Sequence, residues 1–232
     1  MATGQDTTDV KRLFDTGAHF AQVKSRRHPS MKPYVVGTKG RQEIFDLVKT
    51  SEQIESAKAA MTAFAKEGKT ILFVGGKVEV AALVKKAAES INSPYVAARW
   101  LGGTISNWVE IKKRVDRLAD LTEKEAAGTL AKQHTKLELV MIDREKKRLE
   151  ERLDGITTMT KKPDALLVVD TKHEKHAVKE ARAAGIPIIA IMSSDCNLKE
   201  ASFPIVANDT SREAVGLILK DLTTAFQTGQ TA

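Results

Sequence analysis

Four groups of residues in this chain have types and spacings that could do chemistry. Gly75-Gly76-Lys77 follows the apolar run Ile71 to Val74 and precedes an Ala-rich helical pattern, which is where backbone N–H groups and a helix N-terminus can hold an anion. A dinucleotide fingerprint would need glycine at 75, 77 and 80, but Lys77 and Val80 stand at the last two, so the match fails. Gly68-Lys69-Thr70 looks like the close of a phosphate loop, yet Ala63 replaces its leading glycine and the tripeptide precedes its strand. Asp170, His173, Glu174 and His176 cluster after a second apolar run, with the two histidines spaced to share a helix face. Zinc would want further ligands, and the chain has neither a Cys pair nor an H-E-x-x-H spacing. Capping or surface duty is therefore the preferred reading, with no metal assigned. His173, Asp195 and Ser193 or Ser194 make a triad only on paper, since no G-x-S-x-G elbow presents either serine. Cys196, the single thiol, lacks an activating signature and reads as buried.

The fourth group is cationic. Residues 11–41 contain Lys11, Arg12, Lys24, Arg26, Arg27, Lys32, Lys39 and Arg41 against one acid, Asp15, so this stretch carries the whole net charge of +7. Its segment SRRHPSMKPYVVGTKGR combines prolines, glycines and Ser/Thr with bases and reads as an extended, turn-rich arm. Each base set against a phosphate releases a counterion, giving affinity that needs no base reading and falls steeply with salt. The competing reading is a solvated loop. Arg99 is a further candidate phosphate contact, whereas its neighbour Trp100 is expected to pack.

These groups must be positioned by something. A chain of 232 residues, 42% hydrophobic, can bury a substantial core in one or two domains. The longest apolar run, Ile186 to Met192, is far short of a membrane span and is interrupted by Pro187. With no secretory pattern at the start and no cysteine pair, a soluble protein in a reducing cytosol is expected.

Strand-like runs at 44–47, 71–74, 95–98, 165–169, 186–191 and 204–207 alternate with helical patterns at 50–67, 78–90, 174–184 and 211–226. Thr50 with Gln53 suggests a capping box for the first of these helices. The alternation predicts an α/β fold with a parallel sheet. Residues 106–155 break it, with 12 bases and 11 acids and no strand-like run. Trp108, Ile111, Val115 and Leu118 share a seven-residue register with Leu139, Ile142, Lys146, Leu149 and Leu153. Asn107 with Glu110 offers a start, Gly128-Thr129 a reversal and Gly155 a C-terminal glycine. An antiparallel coiled-coil hairpin is expected, inserted into an α/β body formed by 1–105 and 156–232.

Several stretches resemble the bacterial small-subunit ribosomal protein S-two family: GAHF from Gly17, MKPYVVG from Met31, RWLGGTISNW from Arg99, PDALLVVD from Pro163 and GIPIIAI from Gly185. The likeness covers about residues 8–226 and departs from the family pattern at Ala21 to Val23, Arg27-His28 and Gly76 to Val78. It implies a flavodoxin-like (Rossmann-like) sheet with a coiled-coil hairpin. It also implies a non-catalytic ribosomal component in the cytoplasm that contacts small-subunit rRNA and neighbouring ribosomal proteins, with docking of the mRNA-binding ribosomal protein S-one where that protein exists. The rRNA contacts expected on this reading are Lys11, Lys24, Arg26, Arg27, Lys32, Lys39, Arg41 and Arg99, with the hairpin bracing the body against RNA helices. No cofactor or small-molecule substrate is expected, while Mg²⁺ between carboxylates and phosphates is left open. Two rivals remain: a Rossmann-like nucleotide-binding enzyme using Gly75 to Lys77, and a hairpin that recruits protein only.

Overall fold

The computed structural model describes residues 4–129 and 135–231. Ile71–Val74 (β4), Tyr95–Val96 (β5), Ala165–Val169 (β6), Ile188–Met192 (β7) and Phe203–Val206 (β8) form a parallel sheet in the order β5-β4-β6-β7-β8. Counted within the sheet this is the order 2-1-3-4-5 of flavodoxin-like folds, with its switch point between β4 and β6. Every residue of β4, β6 and β7 is buried, which explains continuous apolar runs in place of alternation: both faces are covered.

One face receives Gly4–Asp15 (α1), Leu47–Lys66 (α2), Val78–Glu89 (α3) and Arg212–Thr231 (α7), packed on Ile71, Phe73, Leu167, Val169, Ile189 and Ile191. The other face, with Leu72, Val74, Leu166, Val168, Ala190 and Met192, receives Lys175–Ala183 (α6), the basic arm through Met31 and Phe45, and the hairpin base through Trp108, Ile111 and Leu153. No helix among the described residues is long and apolar enough to cross a membrane.

The hairpin consists of Trp108–Ala126 (α4) and Lys136–Leu153 (α5), inserted between β5 and β6. At 1.5 Å per residue each helix is about 30 Å long. The anticipated seam is lopsided. Trp108, Ile111, Val115 and Leu118 are buried, whereas Leu139, Ile142 and Leu149 on α5 are only half-buried. Ionic contacts close the gap: Arg117 Nε reaches Glu145 at 3.5 Å, and Lys146, at the inward position, pairs with Glu125 and Glu150. Gly128 ends α4 at φ +65°, its N–H donating to the Glu125 carbonyl; residues 130–134 lie outside the described residues.

Two expected caps are corrected. α2 starts earlier than Thr50, because Asp46 accepts from the Val48 N–H at 3.1 Å and caps Leu47–Lys66, so the apolar run 44–47 spans a strand end and a helix start. Asn107 precedes α4 without a side-chain capping bond, while Thr135 and Glu138 form a genuine capping box on α5. Gly155 serves close approach: a Cβ there would collide with the Tyr95 carbonyl oxygen.

Candidate nucleic-acid interface

The arm is a structured element. Phe20–Val23 (β1), Val35–Lys39 (β2) and Gln42–Phe45 (β3) form an antiparallel sheet in the order β1-β3-β2, with 3₁₀ turns at Lys24–Arg26 and Pro29–Tyr34. The extended, turn-rich segment read from the sequence is thus folded into a small sheet of its own. Its attachment is specific. The His28 N–H donates to the Ser194 carbonyl at 2.8 Å, the Gln22 N–H to Ser194 Oγ at 3.1 Å, and the Leu198 N–H to Ser30 Oγ at 3.1 Å, around a fully buried Met31. Ser194, a paper candidate for a nucleophile, is thereby an anchor for the arm.

On this support the cations divide. Lys24 and Arg26 sit on the first 3₁₀ turn and Lys32 on the second, while Lys39 and Arg41 flank Gly40, at φ +65°, in the β2–β3 turn. All five are exposed, and none has an ion-pair partner among the described residues. Arg27 stands apart. Its guanidinium is 22% exposed and donates to Glu43 Oε1 at 2.7 Å, and that Glu43 is 1% exposed. This is an ion pair of the arm's own interior, which sets Arg27 apart from the five exposed bases. Lys11 is exposed on α1, whose Leu13 joins the apolar layer on the other sheet face, so a different element carries it. Arg99 is exposed in the loop after β5.

Trp100 is buried, as expected, and donates from Nε1 to Glu180 at 3.1 Å. The Glu180 carboxylate also accepts the N–H groups of Gly103, Ile105 and Ser106 and so fixes the loop leading to the hairpin. Partial burial opposes the charged form of Glu180, but the hydrogen bonds from Gly103, Trp100, Ile105 and Ser106 outweigh it and hold the carboxyl below its ordinary range. Phe14, not singled out from sequence, is 58% exposed and stacks on His19 with ring centroids 4.4 Å apart.

At the switch point the fold's usual ligand position is occupied by the protein itself. Lys77 Nζ lies 2.6 Å from Asp170 Oδ2 and 2.7 Å from Asp209 Oδ2. Asp170 adopts φ +65°, an uncommon conformation for a residue other than glycine, and its Oδ1 accepts the N–H groups of Lys172 and His173. Burial disfavours the charge on Lys77, but Asp209 and Asp170 outweigh it and raise the ammonium pKa. Burial pushes Asp209 up to about 6, with Lys77 only partly offsetting it. For Asp170 burial is overcome by Lys77 and by the His173 N–H, and its pKa falls. Burial, aided by the Asp170 charge, pushes the Cys196 thiol up to about 12, so it is an unreactive thiol.

The nucleotide-binding rival is corrected by this geometry. Buried Glu174 already accepts the Gly76 N–H at 3.0 Å, and a Cβ on Gly76 would meet the Ala98 carbonyl at 2.8 Å. The glycines serve packing, and the acids beside them would repel a phosphate. His173 lies before α6 and contacts Glu174 at 2.8 Å, so it does not share a helix face with His176. Asp195 pairs with Lys172 at 2.9 Å. Among the described residues no three His, Cys, Asp or Glu side chains are grouped to hold a metal ion.

Comparison with known proteins decides the family. The family model described as Ribosomal protein S2 matches residues 13–229. The chain belongs to the ribosomal protein S2 family. Small ribosomal subunit protein uS2c of Rhodomonas salina is 40% identical over 95% of this chain and 90% of its own length. Small ribosomal subunit protein uS2 of Wolinella succinogenes is 39% identical over 95% of this chain and 81% of its own. Its counterpart in Synechococcus elongatus is 38% identical over 94% and 86%. Membership makes this chain a structural component of the small ribosomal subunit, where its partners are ribosomal, and not an enzyme.

Proposed function

We propose that the chain holds its place in the subunit by setting Lys24, Arg26, Lys32, Lys39 and Arg41 against rRNA phosphates, with Lys11 and Arg99 as flanking contacts. One observation carries this: five exposed cations without ionic partners among the described residues ride on a small sheet whose backbone is bonded to the rigid body. Holding charges in place before binding reduces the ordering cost of association. Arg27 acts indirectly, by neutralising Glu43 under this surface. Phe14, stacked on His19 near the charge of Lys39, offers a ring face to an unpaired base. Mg²⁺ shared between surface carboxylates and phosphates fits the same interface, and docking of the mRNA-binding ribosomal protein remains part of this reading. Replacing the five arm bases with Gln in tagged protein and sedimenting it with small subunits tests it. The variant is expected in the unbound fraction at physiological salt, and full co-sedimentation would refute phosphate clamping.

A further inference from the structure

On the sheet face opposite the arm, α3 and α7 leave a groove of about 470 Å³ between them. Arg212 Nε donates to the Glu79 carbonyl and Gln227 Nε2 to the Ser90 carbonyl, each at 3.0 Å, so the two helices run side by side in the same direction and are tied together at both ends. Between the ties the floor is made by Leu83, Ala87 and Leu219. One lysine stands on each rim, Lys86 on α3 and Lys220 on α7, and among the described residues no acid lines the groove.

The fold leaves two features of this groove without an internal reason. Lys86 and Lys220 are exposed and have no ion-pair partner among the described residues, although Lys85, one position earlier, reaches Glu89 and Asp154 at 3.8 Å. Gly216, in the groove wall, lies within α7, where glycine weakens a helix relative to alanine. A Cβ there would come no closer than 3.8 Å to Leu83, an ordinary contact. Gly229 on the same helix differs: a Cβ would meet the Thr62 carbonyl at 2.7 Å, so packing on α2 requires that glycine. Among the described residues nothing requires the one at 216, and its effect is a notch in the groove.

We propose that this groove seats an acidic amphipathic helix of a neighbouring ribosomal protein. Apolar side chains at i, i+4 and i+7 of such a helix fit between α3 and α7, closest at the Gly216 notch, and Asp or Glu on either side of that row meet Lys86 and Lys220. From Gly216 to Gln227 the groove runs about 16 Å, the length of three helical turns. Its apolar floor rewards apolar side chains, which a phosphate backbone does not supply. A second copy of this chain docked about a two-fold axis would bring lysine against lysine. Unpaired cations on both rims select the opposite charge in the partner.

Docking here is independent of the phosphate contacts of the arm, and the test keeps the two apart. Full-length chain with photo-reactive benzoylphenylalanine in place of Thr224, an exposed residue lining the groove, is assembled into small subunits and irradiated, and the crosslinked peptide is sequenced. The expected product is a segment of another ribosomal protein with apolar residues at helical spacing flanked by Asp or Glu. Adding Lys86→Glu/Lys220→Glu should lower the crosslink yield at least tenfold while the salt slope of rRNA binding stays native, and Lys in place of the acids of the captured segment should restore the yield. Gly216→Leu, which fills the notch, should lower it as well; if that variant does not fold, the charge reversal decides alone. A crosslink to rRNA, to a second copy of this chain or to a segment without acids, no crosslink at all, or a yield indifferent to the charge reversal would overturn the proposal and leave the phosphate reading of the arm standing.

Discussion

Lys77 and Lys39 are the same residue type in one chain, one before a helix and one at a strand end, and their surroundings are opposite. Lys77, 19% exposed at the switch point, touches two buried carboxylates, whereas Lys39 projects from the β2–β3 turn with no ionic partner among the described residues. A cation enclosed with acids stabilises the fold and has no charge left to offer, while a cation left alone on a braced surface adds little to stability and keeps its full field for a polyanion. The contrast recurs within the arm, where Arg27 sits on Glu43 and Arg26, one residue earlier, is exposed. On the proposed reading, pairing, more than charge or position in sequence, separates architectural from RNA-binding bases.

The largest effect is expected at the switch point. Lys77→Met strands Asp170 and Asp209, and breaking a buried ion pair costs about 3–5 kcal/mol. For a chain of this size that lowers Tm by about 10 °C, readable by circular dichroism. The pH dependence has a definite sign. An acid whose folded pKa lies above its unfolded value gives stability that is present below the unfolded pKa and lost as pH rises through the folded one. Asp209 in the native chain is such a group, with stability falling as pH rises from about 4 to about 6. Asp170, with a lowered pKa, contributes stability above the ordinary carboxylate range that is lost on acidification. Without Lys77 both acids shift upward, so the deficit of the variant should shrink between pH 7 and pH 5. A deficit independent of pH would show that lost packing, not stranded charge, dominates.

Next comes Arg27→Met, which leaves Glu43 buried and unpaired at a cost of about 2–3 kcal/mol, below the fully buried case because Arg27 is partly exposed. Adding Glu43→Gln should recover most of it in a double-mutant cycle. Glu180→Ala removes the acceptor that gathers three N–H groups and the Trp100 indole, and is expected to cost about 2 kcal/mol, with faster hydrogen exchange confined to residues 100–106. The smallest stability effect is expected in the arm. Lys24, Arg26, Lys32, Lys39 and Arg41 changed singly to Gln should each move stability by no more than about 0.5 kcal/mol.

The parallel sheet was legible because its strands are short apolar runs bounded by turn residues: 71–74 and 165–169 coincide with β4 and β6. Hairpin helices were legible from their seven-residue spacing, although the α5 side of the seam is less buried than the α4 side. The arm's sheet was hidden, since its strands alternate poorly and its prolines and bases read as loop. What could not be read was long-range pairing. Lys77 meets Asp209 across 132 positions of sequence, and nothing near Lys77 marks it as a buried cation. For the same reason Arg26 and Arg27 looked equivalent, because only the folded arm reveals that Glu43 lies beneath one of them.

The most direct test measures stability and rRNA affinity on the same pair of proteins: the chain with its five arm bases changed to Gln, and Lys77→Met. The account predicts that the arm variant keeps a near-native Tm while the salt slope of rRNA binding falls by about 3.5–4.5, at ~0.7–0.9 per contact. For Lys77→Met, held below its Tm, it predicts a lowered Tm and an unchanged slope. An arm variant that binds rRNA with the native slope, or a Lys77 variant that loses slope while staying folded, would contradict the division between paired and unpaired cations.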